Sequence, residues 1–106
     1  MIARIWRGWT TPGNADAYQR IVSTEVLPGI ARREIRGYRG AYLLRRHLDD
    51  EVEFATILLF DSLGALREFG GEDYEKAYVP PQAREVLSRF DETSAHYETL
   101  MTPGGE

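Results

Sequence analysis

His96, Arg7 and Trp9 are the residues of this chain whose types suit chemistry on a small organic molecule. An imidazole titrates near neutral pH and can accept a phenolic or enolic proton. A guanidinium can hold the oxyanion left behind, and an indole can stack on a planar ring. Three further residues suit binding. Arg45 has no acid opposite it and lies among Leu43, Phe54 and Thr56, a setting for recognising an anion or a carbonyl. Tyr74 and Tyr78 sit in "FGGEDYEKAYVPP", where glycines permit movement and the segment could close over a pocket. Each has a plainer reading: a histidine beside Tyr97 as a packing contact, indoles and arginines as core and ion-pair residues, Arg45 as an edge side chain in water. His47 falls near a hairpin tip and reads as solvated.

Other chemistries lack their residues. The chain has no cysteine, so thiol nucleophiles, disulfides and thiolate-held metals are excluded. Glu72, Asp73 and Glu75 lack calcium-loop spacing, and no phosphate loop, dinucleotide fingerprint or nucleophile elbow is present. No metal and no cofactor are expected. A formal charge of -4, with arginines scattered among acids, argues against nucleic acid. No apolar stretch is long enough for a membrane span or a leader, so a cytoplasmic protein is the expectation.

The elements that must position these groups follow from periodicity. At 106 residues and 42% hydrophobic, residues 1–100 read as one domain and 101–106 as a flexible tail. Residues 2–10 alternate as a strand, yet Ile2, Arg4, Trp6 and Gly8 on one face and Ala3, Ile5, Arg7 and Trp9 on the other are both too apolar for water. Asn14 caps a helix carrying Ala17, Tyr18, Ile21 and Val22, which Pro28-Gly29 ends or kinks. "GYRGAYLLRRHL" and "EVEFATILLFD" form a hairpin about Asp49-Asp50, pairing Arg46 with Glu53 and Arg45 with Phe54. Ser62 caps a helix bearing Leu63, Leu66 and Phe69, which Gly70-Gly71 stops; Ala83, Val86, Leu87 and Phe90 then recur at helical spacing before the last strand.

This order is α+β: a ferredoxin-like βαββαβ domain with a four-stranded antiparallel sheet, helices on one face, and the first and third strands central. Phe54, Leu58 and Phe60 alternate with Ala55, Ile57 and Leu59, so the third strand is also apolar on both faces. Helices cover only one. A homodimer paired sheet to sheet as an α/β barrel would cover the other, each Å² removed from water contributing roughly 25 cal/mol.

On "RIWRGWT", "GYRGAYLLRR", "EFATILLFDS", "FGGEDYEKAYVPP" and "HYET", residues 1 to 100 resemble the antibiotic biosynthesis monooxygenase-like family of the dimeric α/β-barrel superfamily, as an uncharacterised branch. The resemblance implies a pocket between sheet and helices, with Arg7 and Trp9 on the helix side and Arg4 and Trp6 facing the partner. The implied function is a cofactor-independent monooxygenase acting on an aromatic or quinone-type molecule; the family's active residues do not map onto this chain, and on their own chemistry His96 and Arg7 are the catalytic candidates and Trp9, Arg45, Tyr74 and Tyr78 the substrate-binding ones. Alternatives are a non-catalytic homodimer that binds a small apolar or aromatic ligand or serves as an accessory subunit, an isomerase or cyclase, and a haem-binding protein. The Asn, Trp and His of the family's haem-degrading members are replaced by Ile5, Phe69 and Val79, which disfavours haem degradation.

Overall fold

A computed structural model describes residues 1–104. β1 (Ile2–Thr10) runs antiparallel to β3 (Val52–Phe60), and β3 pairs on its other edge with β2 (Tyr38–His47). The free edge of β1 is occupied by two short pieces, β4 (Arg89–Phe90) and β5 (Ala95–Glu98), so β1 and β3 are the central strands. The hairpin register places Arg46 opposite Glu53 and Arg45 opposite Phe54, and the Arg46–Glu53 ion pair forms at 2.9 Å.

One long helical segment covers the sheet: α1 (Ala15–Ile21), a π-helical stretch Val22–Val26, and α2 (Leu27–Arg32). Its helix does not end at Pro28-Gly29. Pro28 falls in the first turn of α2, where a missing N–H costs little, and the wider π turn before it absorbs the change. Ser23 and Thr24 donate to the carbonyls of Gln19 (2.8 Å) and Arg20 (2.6 Å) within that stretch. Asn14 precedes α1 but makes no side-chain cap; its amide reaches the Val86 carbonyl.

α3 (Leu63–Gly70) is capped as its sequence indicates: the Ala65 amide donates to Ser62 Oγ at 3.2 Å, and Gly71 ends it at φ 76°. The helix expected from Ala83 to Phe90 is shorter than its spacing suggests. α4 is Pro81–Arg84, and Phe90 instead lies in β4 opposite Gly8, with Val86 and Leu87 packed into the core on the way. Burial of the apolar set is achieved without completing the helix, so periodicity there reported packing rather than conformation. Of the tail expected to be flexible, residues 105 and 106 lie outside the described residues, and 101–104 form neither helix nor strand.

The register decides which face of β1 the helices cover. Trp6 is opposite Thr56 and Gly8 opposite Phe54, and Phe54 packs edge-on against Tyr18 of α1 at 4.7 Å. Directly opposed residues share a face, so Ile2, Arg4, Trp6 and Gly8 face the helices. The expected assignment of Arg7 and Trp9 to the helix side is therefore overturned. They lie on the uncovered face, where Arg7 pairs with Asp91 at 3.1 Å and Trp9 is buried beneath the guanidinium of Arg89, 3.9 Å from its ring. Gly8 makes the inner arrangement fit: a Cβ there would stand 2.8 Å from Trp6 Cη2 and 2.9 Å from Leu87 Cδ2. On the uncovered face Tyr42 and Leu44 are 51% and 49% exposed.

Candidate functional site

Between the sheet and the helices lies a narrow pocket whose enclosed free space is about 40 Å³. Its floor is Arg4 and Trp6 of β1 with Thr56 and Leu58 of β3, and its roof is Tyr18, Val22, Val26 and Ile30 of the long helix. Phe69, Tyr78 and Val79 wall one side, and Ser94 enters just before β5. A second, roomier pocket of about 180 Å³ adjoins it, lined by Arg4, Phe69, Asp73, Lys76 and Tyr78. Arg4, Phe69 and Tyr78 line both, so they stand where the two meet.

Arg4 is the centre of the site. It is only 3% exposed, and it takes part in none of the ion pairs among the described residues. Its Nη1 donates to the Tyr74 carbonyl and to His96 Nε2 (2.9 Å), and its Nη2 to the Lys76 carbonyl (3.0 Å). The Phe69 ring lies 5.1 Å from the guanidinium carbon. Burial pulls Arg4 down to about 10, which leaves it charged at neutral pH. A buried cation without a carboxylate is costly. Carbonyl dipoles and an aromatic face offset part of that cost here, and an incoming anion would offset more.

The fourth strand is broken to make this possible. From Phe90 to Ala95 the chain takes five steps while β1 takes three, from Gly8 to Ile5. The extra length bulges toward the 71–80 segment, where the Ala77 amide donates to the Glu92 carbonyl (2.9 Å) and the Ser94 amide to the Glu75 carbonyl (2.7 Å). That pairing brings the Tyr74 and Lys76 carbonyls onto Arg4 and holds Ser94 at the pocket wall. The Ser94 Oγ is buried and has no hydrogen-bond partner.

The residues singled out in the sequence are not all brought together. His96 lies opposite Arg4 but lines neither pocket; its Nε2 accepts from Arg4, so the proton of the neutral ring sits on Nδ1. Burial and the Arg4 charge lower its pKa, against a smaller opposing effect of Glu75. Tyr74 packs its ring edge-on against His96 at 5.2 Å and contributes its carbonyl, while Tyr78, 50% exposed, lines both pockets against Phe69. Arg45 is remote: it bridges Asp16 (3.1 Å) and Gln19 (2.7 Å) beside Phe54. Arg7 and Trp9 face away. Arg4, Trp6 and Ser94 were missed as site residues, because each face of β1 carries one arginine and one tryptophan and nothing local separates them. Burial holds the Tyr18 hydroxyl above its ordinary range, so it remains a donor.

The described residues contain no group of three or more His, Asp or Glu placed to hold a metal. Neither histidine fits an axial haem ligand in the pocket: His96 Nε2 is engaged by Arg4, and His47 lies at the end of β2 near Arg45. No helix among the described residues is long and apolar enough to cross a membrane.

No family model matches the sequence, and no curated protein does. Solved structures do match along nearly the whole chain. A Bacillus cereus protein assigned to the antibiotic biosynthesis monooxygenases superposes with a TM-score of 0.67 at 13% identity, over 95% of this chain and 92% of that one. The chain has the antibiotic biosynthesis monooxygenase-like fold. SnoaB, a cofactor-independent oxygenase from Streptomyces nogalater, shares this fold with a TM-score of 0.61 at 13% identity, over 96% of each chain. So does MhuD, a haem-degrading protein of Mycobacterium tuberculosis solved with two haems in its active site, with a TM-score of 0.57 at 16% identity over 96% of this chain and 98% of that one. One antibiotic biosynthesis monooxygenase-like fold thus carries unrelated chemistries, and the choice among them rests on side chains.

Proposed function

We propose that this protein is a small cofactor-independent monooxygenase-like homodimer that takes an aromatic or quinone-type molecule into the pocket between sheet and helices. The observation that carries this reading is Arg4, a charged guanidinium buried without a carboxylate at the floor of an otherwise apolar pocket. An aromatic body would lie against Trp6, Leu58, Val22 and Phe69, these side chains moving apart to admit it. A phenolic or enolic oxygen placed beside Arg4 is more acidic there than in water, and the resulting carbanion can give its electrons to dioxygen. For a ring CH₂ the balance is simple: one oxygen atom becomes the carbonyl, and the other leaves as water with the two hydrogens. His96, with its lone pair on Arg4, acts as a positioning residue rather than as the base. The substrate proton leaves to solvent through the open mouth.

The first pocket's wall holds no carboxylate or imidazole. That observation favours, as the second reading, a non-catalytic homodimer that binds such a molecule without turning it over. In either case a second copy covers the apolar sheet face around Ile5, Ile57, Tyr42 and Leu44.

Oxygen uptake with a panel of hydroquinones and anthrone-type substrates separates the readings. Uptake that falls about a hundredfold in Arg4→Gln is the expected result, the size of losing one oxyanion donor. Binding without uptake favours the second reading. Neither binding nor uptake overturns both.

A further inference from the structure

The oxyanion reading uses one donor, Arg4, and leaves two features of the same pocket unexplained. Ser94 is 6% exposed, its Oγ has no partner, and it lines the pocket that Arg4 floors. A buried hydroxyl left unpaired costs stability that a ligand acceptor would return. Arg4 itself has capacity left over. Three of its contacts are fixed, to the Tyr74 and Lys76 carbonyls and to His96. A guanidinium has five N–H donors, so roughly two remain.

We propose that Arg4 and Ser94 together form a carboxylate subsite, so that the molecule this pocket selects is an apolar or aromatic carboxylic acid rather than a neutral ring system. A single enolate or phenolate oxygen could answer the Arg4 charge, but a carboxylate has two oxygens and about four lone-pair sites, enough to accept from the remaining guanidinium donors and from Ser94 Oγ at once. Charge favours an acid over a neutral carbonyl. The first pocket has Arg4 as its only charged lining residue, and the described ion pairs leave that charge unmatched. The rest of the wall, with Trp6, Val22, Leu58 and Phe69, takes the apolar body. Both anchors are held by backbone rather than by flexible side chains: Ser94 through its amide on the Glu75 carbonyl at 2.7 Å, and Arg4 through the two loop carbonyls. Backbone contacts thus fix where the two anchors sit, while the apolar wall, with about 40 Å³ free, widens around the ligand. This inference rests on the pocket being the ligand site; because it gives the remaining Arg4 donors to the carboxylate, it goes with the binding reading and not with oxyanion chemistry at Arg4.

The test is equilibrium dialysis of the purified protein against 2-naphthoate and against 2-nitronaphthalene, which has the same shape with no net charge. Preference for naphthoate by about tenfold or more in the wild type is expected, and Ser94→Ala should reduce naphthoate affinity about fivefold while leaving that of the nitro compound unchanged. Arg4→Lys, which keeps the charge if the fold tolerates it, should retain part of the preference. Equal binding of the two probes, or tighter binding of the nitro compound, would overturn the carboxylate subsite while leaving the pocket as a ligand site. If neither probe binds, the pocket reading falls together with the subsite. An unchanged naphthoate affinity in Ser94→Ala removes Ser94 and overturns the two-anchor site, and this variant loses only a hydroxyl that bonds to nothing, so its folding is not at risk.

Discussion

Arg4 and His96 behave as one unit, and the pH response of the protein follows from their contact. The folded pKa of His96 lies below the ordinary imidazole value of 6.5, because the ring is partly buried and faces the Arg4 charge. The unfolded chain therefore takes up a proton at a pH where the folded chain does not. Stability from the neutral ring is present above about pH 6.5 and is lost as pH falls through the folded value. The melting temperature should drop as pH falls below about 6.5 in the wild type, and His96→Gln, whose side-chain oxygen can still accept from Arg4, should flatten that drop. A parallel fall in both proteins would show that other groups govern the acid limb. His96 was legible in the sequence as the histidine of interest, but its role was not. Whether an imidazole points a lone pair at a substrate or at an arginine depends on the residue across the strand.

At the scale of elements, two glycines and one serine set local geometry. Gly8 lets the Trp6 indole lie along β1, and a Cβ there would meet two side chains inside 3 Å. Gly8→Ala should destabilise by about 1–3 kcal/mol as an overpacked site and disturb the pocket floor, read as a lower denaturation midpoint together with altered near-UV dichroism of Trp6. Gly37 has φ 93° and would place a Cβ 2.9 Å from that of Ala65, so its substitution is strained on both counts. Ser62→Ala removes the α3 cap and should cost about 1 kcal/mol, measured by urea unfolding; an unchanged midpoint would mean that packing alone sets that helix end. The α3 cap, the hairpin and its register could be read from sequence because each depends on residues close together in the chain, whereas Asn14 makes no cap on α1. The broken fourth strand could not: its bulge is held by the 71–80 segment, and no local pattern in "FDETSAHYETL" reports that partner.

For the whole molecule the decisive feature is the sheet face that no helix covers. Ile5, Ile57 and Leu59 are only half-buried there, beside exposed Tyr42, Leu44 and Tyr97. In the proposed homodimer this apolar face is the one the second copy covers. A dimer should be seen by light scattering at micromolar concentration, and Leu44→Asp should yield monomer with the pocket side of the fold intact. A wild-type monomer would instead mean that this face tolerates water, and the sheet-to-sheet arrangement would have to be given up.

From its residues alone this chain determined the order of its elements, the two central strands, the hairpin register and the apolar character of the sheet face that no helix covers, since periodicity and turn chemistry are local properties. It did not determine which face of β1 was which. "IARIWRGWT" places an arginine and a tryptophan on each side, and local sequence is nearly symmetric between them. The symmetry is broken only when Phe54 meets Tyr18 and the 71–80 segment lays its carbonyls on Arg4, contacts between residues far apart in the chain. The site belongs to those long-range contacts: the same residue types become a buried, unpaired cation in a pocket on one face and a salt-bridged, stacked pair on the other.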